Sequence, residues 1–205
     1  MPLGPLQTNC YLIANSMKEC LVIDPGSEGG KLIHHIRKRG LKPIAILLTH
    51  AHFDHIGAVD DVRDQFNIPV YIHRQEKKWL ANPAMNGSIA FMSQSISARD
   101  ADHLIDKEDR LSVGSFSCQI FETPGHSPGS ISYYFKESGF VVSGDALFAG
   151  SIGRTDLPQG DHGQLIKSIH QKLLTLPEDT IVLPGHGQET TIETEMESNP
   201  YLNGF

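Results

Sequence analysis

The stretch Thr49-His50-Ala51-His52-Phe53-Asp54-His55-Ile56-Gly57 places four potential metal ligands within six residues. It directly follows Ile44 to Leu48, a continuous apolar run of the kind that forms a strand buried on both faces. Positions 50 and 52 differ by two, so an extended segment points both imidazoles the same way. Asp54 and His55 fall where the chain is expected to turn into a helix, and so can face a second point in space. Imidazole nitrogen and carboxylate oxygen are ligands that suit Zn²⁺, Fe or Mn²⁺. The chemistry they would support is attack by a metal-activated water.

Three further candidates sit on loops that follow strand-like runs. His126 lies in Thr123-Pro124-Gly125-His126-Ser127-Pro128-Gly129, Asp145 in Ser143-Gly144-Asp145, and His186 in Leu183-Pro184-Gly185-His186-Gly187. A glycine precedes each, which is expected to let the backbone turn sharply and project the ligand from the strand end. The other histidines lack liganding neighbours. His34, His35, His103, His162 and His170 read as structural or solvent-exposed, and His73 as either structural or lining a cleft. Trp79 reads as a packing residue, Ser127 to Ser130 as a turn shaping the His126 loop, and Asp106 to Arg110 as a solvated turn.

Taken together and in order, these motifs resemble the metallo-β-lactamase superfamily over nearly the whole chain. The resemblance implies an αββα sandwich, two mixed β-sheets flanked by helices. It implies two divalent metal ions, zinc first with iron or manganese as alternatives. One ion is placed on His50, His52 and His126, the other on Asp54, His55 and His186, with Asp145 bridging. Within the superfamily the chain is similar to the short bacterial glyoxalase II-like thioesterases. Gly4-Pro5-Leu6-Gln7-Thr8-Asn9-Cys10-Tyr11 and the run from Gly144 to Asp156 carry that likeness. The carboxylate Asp145 departs from the β-lactamases that use a cysteine ligand. Family members usually have another strand before Gly4. Few residues follow His186, against the helical glutathione-holding domain of the long glyoxalase II enzymes.

The implied reaction is hydrolysis of a small thiol ester such as S-lactoylglutathione. A hydroxide shared by the two metals attacks the carbonyl, Asp54 orients it, and the thiolate leaves without a strong acid. Arg154 is the candidate contact for a carboxylate on the thiol carrier, or else the ion-pair partner of Asp156. Similar sequences leave other readings open: a mononuclear-iron persulfide dioxygenase using His50, His126 and Asp145, a lactone hydrolase, or a non-catalytic zinc-stabilised binding module. Structural zinc sites are normally closed and often contain cysteine, whereas the candidate set here has none.

The elements that must position these residues are legible from pattern. Cys10 to Ala14 and Cys20 to Asp24 read as strands, Ser27 to Arg39 as a helix closed by Gly40, Ile56 to Phe66 as a helix, and Val70 to Ile72 as a strand. Asn82 to Asp100 lacks periodicity and reads as an irregular flap with a helical turn. Strands follow at Phe116 to Phe121, Ile131 to Phe135 and Phe140 to Val142. Leu165, Ile169, Leu173 and Leu176 mark a helix, Ile181 to Leu183 a last strand, and the final residues a closing helix. With 205 residues, 39% apolar and 20% charged, the chain is expected to form a single domain, residues 1–205. Its net charge of −7 argues against nucleic acid or an anionic membrane as partner and leaves a small-molecule substrate. Cys10, Cys20 and Cys118 read as buried free thiols of a reducing compartment, the cytoplasm.

Overall fold

The computed structural model describes residues 1–202. The chain divides into two compact units, Met1–Asp106 and Lys107–Phe205.

The first unit is built on five strands in the spatial order Tyr11–Ala14, Glu19–Ile23, Lys42–Leu47, Val70–His73, His103–Ile105. The first two form an antiparallel hairpin, and every later neighbour is parallel. Parallel neighbours require crossover connections. Two of these carry the longer helices, Gly29–Lys38 and Val59–Phe66. Leu32 and Ile36 of one and Val59 and Val62 of the other share a core with Val22, Ile46, Val70 and Ile72.

Two helix boundaries depart from the sequence pattern for tertiary reasons. The first helix starts at Gly29 rather than Ser27 because Glu28 is left-handed, at φ 52°, with its carboxylate accepting from Gly4 N at 2.9 Å. The helix expected over Ile56 to Phe66 is two, Phe53–Ile56 and Val59–Phe66. Between them the chain is pressed against the Pro25-Gly26 turn. Ala58 N donates to Pro25 O at 2.9 Å, and a Cβ on Gly57 would stand 2.4 Å from Gly26 O. The irregular stretch after Trp79 holds one short helix, Ser88–Phe91. It is stitched by buried Asn86, which donates to Trp79 O at 3.2 Å and Ile96 O at 2.9 Å and accepts from Ser88 N at 3.0 Å.

The main sheet of the second unit has six strands in the order Thr190–Thr191, Ile181–Pro184, Phe140–Gly144, Ile131–Phe135, Phe116–Glu122, Arg110–Val113, and Leu147–Phe148 pairs with Ser151–Ile152 as a separate ribbon. All pairs are antiparallel except Phe140–Gly144 with Ile181–Pro184. Both sheets are therefore mixed, as expected. Arg110 opens a strand paired with Gln119, where the sequence suggested the end of a turn; the ladder supplied by Phe116–Glu122 outweighs the local charge. The helix expected from Leu165 is an α-helix, His162–Ser168, running into a π-helical turn, Ile169–Leu173. Leu165, Ile169 and Leu173 are fully buried. Asp161 caps its start by accepting from Gln164 N at 2.9 Å, satisfying one of the amide donors a helix start leaves open. A closing helix is present at Ile192–Ser198. Among the described residues no helix is long and apolar enough to cross a membrane.

Candidate metal centre

In the first unit the parallel ladder ends where Leu48 N donates to Tyr71 O at 3.0 Å. Beyond it the chain stays extended, with His52 at φ −65°, ψ 150°. Its backbone donors now find other partners. Thr49 N donates to Asp24 Oδ1 at 2.8 Å, Ala51 N to Glu76 Oε2 at 2.5 Å, and Phe53 N to Asn86 O at 3.0 Å. The odd-numbered residues anchor the backbone and the even-numbered ones carry the imidazoles. The His50 and His52 ring centroids lie 4.9 Å apart and those of His50 and His55 4.1 Å apart.

The hydrogen bonds decide which imidazole nitrogens bear lone pairs. His55 Nδ1 lies 2.9 Å from Asp24 Oδ2; a carboxylate only accepts, so Nδ1 carries the proton. Thr49 Oγ1 donates to the same oxygen at 2.6 Å, so at its 3.1 Å contact with His50 Nδ1 it accepts. His126 Nδ1 lies 2.8 Å from the carbonyl oxygen of Arg154 and must also donate. With Nδ1 donating, the neutral form of each ring carries its lone pair on Nε2, the state in which histidine binds a metal. One buried carboxylate, Asp24, thus sets the tautomer of two histidines.

The ligand atoms are also spaced for shared coordination. Asp54 Oδ2 is 3.5 Å from His55 Nε2. In the second unit Asp145 Oδ2 is 3.5 Å from both His126 Nε2 and His186 Nε2. Donors bound at about 2.0–2.2 Å to one tetrahedral ion stand roughly 3.4 Å apart. His and Asp donors so placed fit divalent cations. Thr8 Oγ1 donates to Asp54 Oδ2 at 2.7 Å and fixes that carboxylate. His50 and His55 are fully buried, whereas the His186 side chain is 29% exposed, which makes it the ligand closest to solvent.

The loops of the second unit obey the glycine expectation at two of three positions. Gly125 has φ 132° and a Cβ there would meet Leu165 N at 2.3 Å; Gly144 has φ 52°. The third loop differs. Its left-handed residue is Gly187, after His186, at φ 79°. Gly185 instead serves a backbone bond, donating to Gly144 O at 2.8 Å. That bond ties the Asp145 and His186 loops together and takes the place of a sharp turn.

Arg154 is engaged by Asp156 through two contacts of 2.8 Å. The guanidinium holds the Asp156 carboxyl down at about 2. Of the histidines read as structural, His34, His103 and His162 are exposed, and His35 and His170 half-buried. His103 stacks on Tyr71 at 4.4 Å. His73 is buried at the end of its strand. Trp79 is buried, with its ring 5.5 Å from that of His52. Ser127 and Ser130 bond to each other at 2.7 Å, closing the turn after His126. All three cysteines are free and buried.

Sequence reasoning missed Asp24, Thr49, Thr8 and Glu76 as partners of the ligands. Asp24 reads only as the end of a strand, and Glu76 lies in an ordinary charged stretch. Their one sequence-level signal is that an acid follows each of two apolar strands flanking the His50 strand.

Comparison with known proteins places these features in a wider set. A family model described as the metallo-beta-lactamase superfamily matches residues 3–186. The chain is 54% identical to a probable metallo-hydrolase, YqgX, of Bacillus subtilis, over 100% of this chain and 97% of that protein. It is 38% identical to the hydroxyacylglutathione hydrolase GloC of Haemophilus influenzae, over 99% and 96%. Among solved structures, the BLEG-1 B3 metallo-beta-lactamase superposes with TM-score 0.98 at 55% identity, covering 100% of this chain and 98% of that one. TTHA1623 in a di-iron-bound form superposes with TM-score 0.87 at 39% identity, covering 98% of each.

Proposed function

Because this chain belongs to the metallo-β-lactamase superfamily and is a metallo-hydrolase of that fold, we propose that it hydrolyses esters of small thiols, with S-lactoylglutathione as the type substrate. One observation carries the reading. Three histidines have Nδ1 tied as a donor, leaving Nε2 as ligand, and Asp145 Oδ2 stands at equal distance from two imidazoles. The preference for a thiol ester is supported by the full-length similarity to a hydroxyacylglutathione hydrolase.

On this reading His50, His52 and His126 would hold one divalent ion and Asp54, His55 and His186 a second, with Asp145 available to both. Zinc suits these ligands, and iron is the alternative that the di-iron relative illustrates. When bound, the ions supply Lewis-acid polarisation and a water of lowered pKa. Asp54, its rotation set by Thr8, orients the attacking water toward the thioester carbonyl. A thiol of pKa about 8.5 leaves readily as thiolate, so little proton donation is required. Arg154 binds a carboxylate of the thiol carrier by exchanging Asp156 for it.

The test is metal quantification with steady-state kinetics on S-lactoylglutathione and on acyl esters of other small thiols. Two equivalents of metal and kcat/KM above about 10⁴ M⁻¹s⁻¹ for one of these esters are expected. A metal-replete protein that turns over none of them overturns the proposal. A second reading, opening of a β-lactam ring, is favoured by the similarity to BLEG-1; β-lactam turnover without thioester turnover would select it.

A further inference from the structure

The metal-bearing segment leaves its sheet at Leu48, yet it does not behave as a loop. Its alternate amides at Thr49, Ala51 and Phe53 are each taken by a group from a different part of the first unit. Two of those groups are carboxylates, and they come from the ends of the two strands that flank Lys42–Leu47. Asp24 follows Glu19–Ile23, and Glu76 lies in the short turn after Val70–His73. Side chains thus continue the ladder on both sides for several residues past the last backbone partner.

Glu76 is the telling member. Its side chain is fully buried, and a buried carboxylate is costly unless strongly hydrogen-bonded. Its Oε2 accepts from Ala51 N at 2.5 Å. Ala51 is the single residue between His50 and His52, so this bond sets the spacing and relative rotation of the two imidazoles. Those rings stand nearly perpendicular, at 86°. A neutral residue at position 76 would satisfy the core at lower desolvation cost; a carboxylate there serves a demanding acceptor role.

We propose that Glu76 is a positioning residue for metal binding: through the Ala51 amide it holds His50 and His52 in the geometry that ligates one ion. The proposal rests on the metal-binding reading above. Without this bond the stretch between the Asp24 and Asn86 contacts loses its central backbone anchor, and the two imidazoles lose their common target. Partners that orient ligands in this way are worth about 10–100-fold in metal affinity.

The experiment titrates Zn²⁺ into wild type, Glu76→Ala, Glu76→Gln and Glu76→Asp against a chromophoric chelator, well below each melting temperature. The Co²⁺-loaded forms are compared by visible spectrum. Leu173→Ala, a core truncation in the second unit, serves as a control of comparable instability. Glu76→Ala should lose about 10–100-fold in affinity for one equivalent and change the Co²⁺ spectrum. Glu76→Gln, which keeps an acceptor oxygen, should recover most of that loss, and Leu173→Ala should bind normally. Wild-type affinity in folded Glu76→Ala, or an equal loss in Leu173→Ala, overturns the proposal. Should Glu76→Ala fail to fold, Glu76→Asp decides, since its shorter reach should weaken binding and unchanged affinity overturns the idea. Wild-type stoichiometry separately tests the two-ion reading, because the variant-to-wild-type ratio reports on Glu76 whatever the number of ions.

Discussion

The two units hold their candidate metal ligands still by different means. In the first, the ligands are contiguous, His50 to His55, and buried carboxylates hold their backbone and set their tautomers. In the second, His126, Asp145 and His186 come from three separate loops. Backbone groups do the work there: the Arg154 carbonyl for His126, and the Gly185-to-Gly144 bond for the other two. A contiguous motif must leave its sheet to turn, so it loses ladder partners and needs side-chain acceptors. Loops emerging from neighbouring strands can still bond one another. The units converge at one point. Each ligand aspartate has its own carbonyl oxygen against a glycine: a Cβ would come 1.7 Å from Asp54 O at Gly26 and 1.8 Å from Asp145 O at Gly153.

That convergence gives the largest expected effects. Gly26→Ala and Gly153→Ala should each cost more than about 4 kcal/mol and abolish metal loading, because the contact is with rigid backbone on both sides. Urea unfolding with metal analysis checks this, and a variant that stays folded and fully loaded would remove its unit from the comparison. Next come the aspartates themselves. On the proposed reading Asp145 serves both ions and Asp54 one, so Asp145→Ala should weaken metal binding more than Asp54→Ala. Both should cut turnover by at least about a hundredfold; equal affinities in a chelator titration would mean that Asp145 is not shared.

Smaller effects separate the two strategies. Asp24→Asn keeps the shape but can present a donor to His55 Nδ1, so metal affinity should fall about 10–100-fold. Replacing Arg154 by Ala leaves the carbonyl that holds His126 in place. It should therefore raise KM about tenfold for a carboxylate-bearing thiol ester, with kcat and melting temperature nearly unchanged, the exposed pair with Asp156 adding little stability. A changed kcat with constant KM would move Arg154 from substrate contact to support of His126.

The smallest effect concerns the thiols, which neither set of ligands uses. Burial raises Cys20 from 9.0 to about 11 and Cys118 to about 12, and raises Cys10 as well. A thiol reagent at pH 8 should label none in the native protein and all three in denaturant. Because these folded-state values lie above the unfolded ones, the contribution to stability is complete below pH 9. It is lost as pH rises through 9 toward 11–12, where only the unfolded thiols ionise at first. Rapid native labelling at pH 8 would contradict the burial.

The spacing of His50, His52, Asp54 and His55 and the apolar run before them already pointed to a candidate metal-binding segment at a strand end. Such signals are local: two residues of separation on an extended chain put side chains on one face whatever the rest does. The main strands, the face of the Leu165–Leu173 helix and the burial of the cysteines follow from composition for the same reason. Tertiary contact alone decided that Gly57 would split a helix against Gly26, that Gly185 would bond Gly144 where a turn was expected, and that Asp24 and Glu76 would grip the ligand strand from both sides. Those outcomes depend on which strand ends lie side by side, and no periodicity in the chain records the pairing of residues 25 positions apart.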